Sequence, residues 1–255
     1  MRARPRIIAL EGASGAGKST VARLLRRDLE AELLTEAYDR LDPRPNLAFS
    51  SPASLLALER DLLAEERRRY REALEIRRRG RTVVADTGFF GPVTYAAGLV
   101  ALGFAPRRVL ARLIAEARRT RGAGPLGLPD ATVYLDVPER RLRERVARDP
   151  TGHPAALARR HRAVGRFERE LYVRTLPTIA PGHVAVVRGP GPPETVARRV
   201  RAAMGDLRLD GTLRGRRDRW LDRIWSASET GGERRSASSS ATVKKPARSA
   251  RAPPR

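Results

Sequence analysis

Short apolar runs alternate along the chain with longer segments in which apolar residues recur every three or four positions. The short runs predict buried strands, at residues 6–10, 33–35, 82–86, 132–137 and 183–187. The longer segments predict helices, at 19–31, 52–79, 87–102 after a Gly/Pro turn, 107–119, 139–148, 155–176 and 193–204. Strands that alternate with helices in this way indicate an α/β fold with a parallel sheet covered on both faces.

The segment at 52–79 is the most charged of the predicted helices, and the pattern is compatible with one long helix or a helix pair. We expect its charged face to be solvated and held by ion pairs between neighbouring turns. The alternative is that one or two of its arginines, Arg60, Arg67 or Arg68, point into a ligand cleft.

A glycine-rich motif separates the first predicted strand from the first predicted helix. Residues 12–19 fit the pattern of glycine, four residues and then Gly-Lys-Ser, in the strand-to-helix context that a phosphate-binding loop requires. The glycines allow successive backbone N–H groups to face phosphate oxygens at a helix N-terminus. We expect phosphate contacts from Gly12, Ala13, Ser14, Gly15, Ala16, Gly17, Lys18, Ser19 and Thr20.

Two side chains of this motif have separate predicted roles. Lys18 neutralises the β- and γ-phosphates, and the Ser19 hydroxyl ligates Mg²⁺. The strand at 82–86 ends in Asp86, and a carboxylate there supports the same metal and its water shell. The sequence therefore predicts a site for ATP and Mg²⁺ in a P-loop NTPase, a three-layer α/β/α sandwich.

The formal net charge of +23 suggests affinity for polyanions. Of the 52 basic residues 49 are arginine, however, and this bias also fits a GC-rich coding sequence. We expect no more than nonspecific nucleic-acid binding at low salt. The chain has no cysteine, and its three histidines are not spaced like metal ligands, so no metal beyond Mg²⁺ is predicted.

The composition changes near residue 205. We expect one kinase-like domain at 1–205 and a basic, low-complexity tail at 206–255, in which a short helix ends by 225 and disorder begins at Ser226. Neither a signal peptide nor a membrane-spanning segment is predicted, so a soluble cytoplasmic protein is expected. The oligomeric state stays open, with a dimer among the alternatives.

Taken in chain order, these motifs resemble the thymidylate kinase and deoxynucleoside kinase branch of the P-loop kinases. The resemblance covers residues 6–204 and includes the phosphate loop, Asp86, the segment 133–139 and the arginine-rich region after it. It implies a lid at about 138–166 whose arginines close over the transferring phosphate. The implied lid arginines are Arg141, Arg145 and Arg148, with Arg159, Arg160 and Arg162 as candidates from its far side.

The resemblance also implies a catalytic base. Glu36 matches the position after the second strand where deoxynucleoside kinases keep a carboxylate that takes the proton of the attacking hydroxyl, and Asp86 is the alternative. In place of the family's Asp-Arg or Glu-Arg pair the chain has Asp86-Thr87-Gly88, which weakens the case for a nucleoside monophosphate acceptor.

These features predict an ATP-dependent kinase for a small hydroxyl or phosphate acceptor, such as a nucleoside, a nucleotide or a similar metabolite. The alternative is a P-loop ATPase that switches binding to a protein or nucleic-acid partner, with the basic tail as a tether. A GTPase and a transporter ATPase are disfavoured because the chain lacks Asn-Lys-x-Asp and Leu-Ser-Gly-Gly-Gln motifs.

Overall fold

A computed structural model describes residues 6–119, 126–147, 155–189, 191–205, 207 and 216–239. Its centre is a sheet of five parallel strands in the order β2-β3-β1-β4-β5. The strands are β1 Ile7–Glu11, β2 Glu32–Leu34, β3 Val83–Asp86, β4 Ala131–Asp136 and β5 Val184–Arg188. Each strand lies within one or two residues of its predicted position.

Helices cover both faces of this sheet, which confirms the predicted three-layer α/β/α fold. They are α1 Lys18–Asp28, α2 Ala37–Arg40, α3 Pro52–Arg78, α4 Gly91–Ala101, α5 Arg107–Arg118, α6 Glu139–Ala147, α7 Ala155–Glu170, α8 Leu176–Ile179, α9 Pro193–Gly205 and α10 Arg216–Ser239. A π-helical turn, Leu171–Thr175, joins α7 to α8. Within the described ranges, no helix is both long and apolar enough to span a bilayer.

Side-chain alternation along the central strand divides the core between the two faces. Ile7 and Ala9 of β1 pack with apolar residues of α3, α4 and α5, whereas Ile8 and Leu10 pack with those of α1 and α9. All five residues of β1 are buried, as expected for a central strand of a parallel sheet. The sheet therefore presents its carboxyl edge, rather than either face, to ligands.

The charged segment forms one helix rather than a helix pair. Ser51 caps its N-terminus, accepting a 3.1 Å hydrogen bond from the backbone N–H of Ser54. The expectation that the charged face of α3 is solvated is wrong for five of its residues. Packing under α4 and α5 and against the sheet buries Glu59, Glu65, Glu66, Arg67 and Arg69.

The C-terminal region adds a helix to the folded domain. In α10 Trp220, Leu221 and Ile224 are buried in the core that α4 and α5 share. This corrects the expected end of the folded part near residue 205, because large apolar side chains after that point complete the core. The helix also continues to Ser239, beyond Ser226, where disorder was expected. The remainder of the tail, 240–255, lies outside the described residues.

Candidate active site

Carboxylates stand at the carboxyl ends of four adjacent strands. Glu11 ends β1, Asp86 ends β3 and Asp136 ends β4, while Glu36 follows β2 by two residues. In the strand register Leu10 pairs with Asp86 and Glu11 with Tyr134, so these ends lie side by side along one edge of the sheet. The phosphate loop leaves the sheet at the same edge.

The backbone of the phosphate loop depends on its glycines. Gly12, Gly15 and Gly17 have φ angles of 148°, 81° and 95°, in the region that disfavours residues with a side chain. A Cβ atom on Gly12 would lie 2.9 Å from the carbonyl oxygen of Leu135. The loop therefore packs directly against β4. Gly12 is required both by its positive φ angle and by the lack of space for a Cβ atom.

Lys18 opens helix α1 and folds back over the loop. Its Nζ donates a 2.8 Å hydrogen bond to the carbonyl of Gly12. Ser19 and Thr20 follow on the first turn and are exposed. Because the free N–H groups and the positive end of the helix dipole meet at this turn, the arrangement fits an anionic phosphate.

The structure brings one of the three implied lid arginines to the loop. Arg145 of α6 donates to the carbonyls of Gly15 and Ala16 at 3.1 Å and 3.0 Å. Arg141 instead binds Glu144 on its own helix at 2.8 Å. Arg148 lies outside the described residues.

The candidates from the far side of the lid diverge. Arg159 is exposed, whereas Arg160 stacks over the ring of Phe49 with its guanidinium carbon 4.3 Å from the ring centroid. Arg162 lines a cleft beside the phosphate loop. The three side chains therefore do not converge on one point.

This cleft, of about 590 Å³, lies between the phosphate loop, the end of β4, α6 and α7. Two ion pairs that sequence reasoning did not predict cross it. Arg166 binds Glu139 at 2.6 Å, and Arg169 binds both carboxylate oxygens of Asp136 at 2.7 Å each. Bidentate pairs of this kind hold a guanidinium in a fixed orientation, so in this structure α7 is tied to α6 and to β4.

Asp86 and Glu36 occupy the two neighbouring strand ends next to β1. Asp86 is 5% exposed, and its Oδ1 is buried with no hydrogen-bond partner in the part of the chain that the structure describes. Burial raises the pKa of Glu36, Lys18 opposes that rise, and Asp86 adds to it. The two carboxylates therefore lie within electrostatic range of each other and of the phosphate-loop lysine.

Sequence reasoning missed Glu11, which lies directly before the loop. Its Oε1 accepts hydrogen bonds from the Tyr172 hydroxyl at 2.8 Å and from the backbone N–H of Gly88 at 2.9 Å. Burial raises the pKa of Glu11 to about 7, although both hydrogen bonds and Lys18 favour the ionised form. The signal was present in the sequence, because Glu11 ends an apolar strand just as Asp86 does.

The contacts of the three α3 arginines that the alternative placed in a ligand cleft lie elsewhere. Arg60 pairs with Glu116 and Arg68 with Glu65, while Arg67 donates to the carbonyl of Glu116. The α3 arginine that reaches the strand ends is Arg69, which is fully buried. It lies one helical turn from Glu65, on the face that turns toward the sheet.

Arg69 joins the ends of β2 and β3. Its guanidinium pairs with Glu66 and donates to the backbone carbonyls of Asp86 at 2.9 Å and Leu34 at 3.4 Å. A positive charge from α3 thus stands beside the Asp86-Thr87-Gly88 turn, where the chain lacks the arginine of the family's pair. Arg69 is enclosed and does not face solvent, so it supports the turn rather than contacting a ligand.

The donor set fits Mg²⁺ only as a partner of bound phosphate. Among the described residues, no group of three or more His, Cys, Asp or Glu side chains is arranged to hold a metal ion. Mg²⁺ is commonly held by one or two protein oxygens together with substrate phosphates and water. Asp86, with its unpartnered Oδ1, and Ser19, at the start of α1, match this requirement.

Comparison with known proteins agrees with this architecture. The sequence profile described as AAA domain matches residues 7–152, more than half of the chain. No curated protein matches the sequence.

Solved structures share the fold at low sequence identity. Deoxyadenosine kinase from M. mycoides with bound dATP is 15% identical, with a TM-score of 0.62 over 78% of this chain and 99% of that one. Thymidylate kinase from Candida albicans is 15% identical, with a TM-score of 0.54 over 79% of this chain and 92% of that one. The predicted resemblance to this branch of P-loop kinases is confirmed at the level of the fold.

Proposed function

The chain belongs to the AAA domain family, and from the residues at its strand ends we propose that it is a kinase that transfers the γ-phosphate of ATP to a small hydroxyl-bearing acceptor. The observation that carries the proposal is the juxtaposition of Glu36 and Asp86 beside Lys18. A carboxylate with a raised pKa next to a phosphate-binding lysine suits proton transfer from a hydroxyl group.

Phosphate binding is assigned to the loop. The backbone N–H groups of residues 12–17 and the N-terminus of α1 hold the β- and γ-phosphates, and Lys18 neutralises part of the phosphate charge. Ser19 and Asp86 would hold Mg²⁺, which when bound would supply positive charge to the phosphate oxygens. The cleft beside the loop, lined by Asp136, Arg162 and Arg188, accepts the rest of the nucleotide.

The transfer step then uses the carboxylates. The acceptor oxygen attacks the γ-phosphorus as its proton passes to Glu36, and the bond between the γ-phosphorus and the β–γ bridging oxygen breaks to release ADP. The developing charge on the equatorial oxygens requires cations. Lys18 provides one cation. Arg145 provides a second when its guanidinium leaves the carbonyls of Gly15 and Ala16 and binds the phosphate instead.

Phosphate transfer from γ-labelled ATP tests this proposal. The full chain is incubated with Mg²⁺ and a panel of nucleosides, nucleoside monophosphates and small hydroxyl metabolites, with Lys18→Ala as the inactive variant. Arg23→Ala, an exposed position on the same helix, is the matched control. Acceptor-dependent transfer that Lys18→Ala abolishes and Arg23→Ala retains supports a kinase. ATP hydrolysis that responds only to nucleic acid or a protein partner would instead favour a switch ATPase.

A further inference from the structure

Glu11 is a buried residue that has no part in the proposed transfer step. It is 8% exposed and ends β1, the strand that leads into the phosphate loop. Its Oε1 accepts two hydrogen bonds, from the backbone N–H of Gly88 at 2.9 Å and from the Tyr172 hydroxyl at 2.8 Å. Because burial of a carboxyl group is costly, an apolar side chain would suit packing better. What the carboxyl provides is these two contacts.

The hydrogen bond to Gly88 extends the connection between β1 and β3 beyond their paired residues. The backbone register between the two strands runs as far as Leu10 and Asp86. The N–H of Thr87 then donates to the carbonyl of Leu10 at 3.1 Å. The N–H of Gly88, one residue further on, has the side chain of Glu11 as its acceptor. Glu11 therefore continues by its side chain what the backbone of β1 does up to Leu10.

The turn that Glu11 holds has a strained backbone. Thr87 has a φ angle of 68°, in the left-handed region that β-branched residues rarely adopt. Such a conformation costs on the order of 1–3 kcal/mol and persists only where the surrounding contacts determine it. Arg69 binds the carbonyls of Asp86 and Thr87 at 2.9 Å and 3.3 Å. Glu11 binds the N–H of Gly88, so two buried charged residues fix the turn that follows β3.

The backbone of this turn determines where the Asp86 carboxylate lies. Oδ1 of Asp86 is buried and has no hydrogen-bond partner among the residues that the structure describes. Side-chain hydrogen bonds at that atom therefore do not hold the carboxylate in place. Ser19 lies on the helix that follows the phosphate loop, and the loop starts directly after Glu11. The contact between Glu11 and Gly88 thus joins the two segments that carry the proposed Mg²⁺ ligands.

Tyr172 holds Glu11 from the C-terminal side of α7. It is a buried residue of the π-helical turn, and turns of this type are frequent at functional sites. Its ring stacks on that of Tyr134 in β4, with the centroids 5.6 Å apart and the planes at 20°. Thr94 of α4 also interacts with its hydroxyl group. Because stacking orients the ring, the hydroxyl group is presented to Glu11 in a fixed direction.

We propose that Glu11 is a positioning residue for the transfer reaction, which holds the turn after Asp86 against the start of the phosphate loop so that Asp86 and Ser19 can bind one Mg²⁺ ion. Tyr172 is a second positioning residue that acts through Glu11. The inference rests on the proposed kinase function for the identity of the ion and its nucleotide. It requires a hydrogen-bond acceptor at residue 11 and does not require a charge there.

The coupling between metal and nucleotide tests this role without a transfer step. The affinity of the full chain for ATP is measured by calorimetry, once with excess Mn²⁺ in place of Mg²⁺ and once with a chelator. The ratio of the two affinities equals the gain in Mn²⁺ affinity that the protein gives to the nucleotide-bound ion. A substitution that only weakens the nucleotide site lowers both affinities and leaves the ratio unchanged.

Three variants should change this ratio by different amounts. Glu11→Met removes the acceptor but keeps the length of the side chain, and it should lower the ratio by about tenfold. Tyr172→Phe removes only the hydroxyl group and should lower it by about threefold. Glu11→Gln keeps an oxygen acceptor and should stay within about twofold of the unsubstituted chain.

Tyr70→Phe is the matched control. It removes the hydroxyl group of another partly buried tyrosine, next to Gly127 in the segment before β4, and should leave the ratio unchanged. Circular dichroism establishes that each variant is folded. If Glu11→Met does not fold, Tyr172→Phe and Glu11→Gln decide the question. An unchanged ratio in Tyr172→Phe would overturn the inference, and so would a loss in Glu11→Gln as large as that in Glu11→Met.

Transfer assays separate this inference from the kinase proposal. With γ-labelled ATP and the acceptor panel, Tyr172→Phe should raise the Mg²⁺ concentration required for half-maximal transfer, and Tyr70→Phe should not. The expected ratios without transfer to any acceptor would support the positioning role and count against the kinase. Transfer in which Tyr172→Phe matches Tyr70→Phe would refute the positioning role and leave the kinase proposal intact. A chain that does not bind ATP would overturn both.

Discussion

The guanidinium of Arg69 donates a 2.9 Å hydrogen bond to the backbone carbonyl of Asp86 from a position with no solvent exposure. Through this contact helix α3 fixes the turn that follows β3. The same guanidinium pairs with Glu66, one helical turn earlier. Burial raises the pKa of Glu66 to about 7, and the charge and hydrogen bond of Arg69 oppose this rise. Near neutral pH the ionised form of Glu66 is therefore stabilised by Arg69.

Replacement of Arg69 by methionine should therefore destabilise the fold by about 3 kcal/mol at pH 8, since it leaves a buried carboxyl without its partner. The loss should be smaller at pH 6, where Glu66 takes up a proton. Urea unfolding at the two pH values measures both effects, with Arg68→Met, an exposed neighbour, as the control. An equal loss for the two variants would contradict the assigned role.

Stability of the ligand-free protein should fall as pH rises. Glu11 and Glu59 have folded-state pKa values of about 7 and about 8, raised by burial from 4.5 in the unfolded chain. Between these limits the two carboxyls bind more protons in the folded state than in the unfolded state, so the stability that they contribute is full below about pH 4.5 and is lost as pH rises through 7 and 8.

Urea unfolding between about pH 5 and about pH 9 should show this decrease, on the order of several kcal/mol in total. Glu59→Gln should flatten the profile, and Glu75→Gln should leave it unchanged. A profile of Glu59→Gln that matches the unsubstituted chain would mean that Glu59 titrates normally.

Substitutions of Glu36 and Asp86 should cause different defects. Glu36→Gln should reduce kcat by about 10²-fold to 10⁴-fold with little change in the Mg²⁺ requirement, because it removes a proton acceptor. Asp86→Asn should instead raise the Mg²⁺ concentration needed for half-maximal transfer. Turnover measured across a Mg²⁺ titration distinguishes them, and unchanged turnover in Glu36→Gln would exclude Glu36 as the base.

The contact between Gly88 and Glu11 gives a prediction about the phosphate-loop end of β1. A Cβ atom on Gly88 would lie 2.4 Å from Oε1 of Glu11. Gly88→Ala should therefore displace this carboxylate and break its hydrogen bonds, lowering stability by about 1–3 kcal/mol. Thermal unfolding checks the loss, with Gly91→Ala, whose Cβ would meet no atom within 4 Å, as the control.

Arg145 should matter for transfer more than for folding. It contacts backbone carbonyls of the phosphate loop from an exposed helix, and such contacts contribute little to stability. Arg145→Ala should lower kcat by about 10²-fold or more if the arginine moves to the transferring phosphate. Arg141→Ala, whose side chain faces Glu144, should have a weaker effect in the same assay.

The strands, the phosphate loop and Asp86 were predictable because each depends on local sequence. Apolar runs identify β1 and β3, and the glycine spacing identifies a loop with positive φ angles. The buried charges of α3 were not predictable in the same way. A charged run on a long helix is ordinarily solvated, and only the packing of α3 under its neighbours shows that Glu59 and Arg69 face inward.

The region that the resemblance implied as a lid shows the same limit. Helical spacing places Arg141 and Arg145 near each other, but it does not show that Glu144, between them, binds one of the two. Arg169 lies 33 residues from Asp136 in the chain, and its bidentate contact follows from the way α7 returns across the sheet. Long-range pairs of this kind depend on tertiary geometry, which one sequence does not supply.

Trp220 supports the site from α10, a helix that follows every predicted motif in the chain. Its indole lies 5.7 Å from the ring of Tyr172, centroid to centroid, and the Tyr172 hydroxyl holds Glu11 at the end of β1. Two side-chain contacts thus connect α10 to the residue that precedes the phosphate loop. The smallest fragment that keeps this site intact therefore extends at least through Ile224, although every nucleotide-binding motif lies before residue 205.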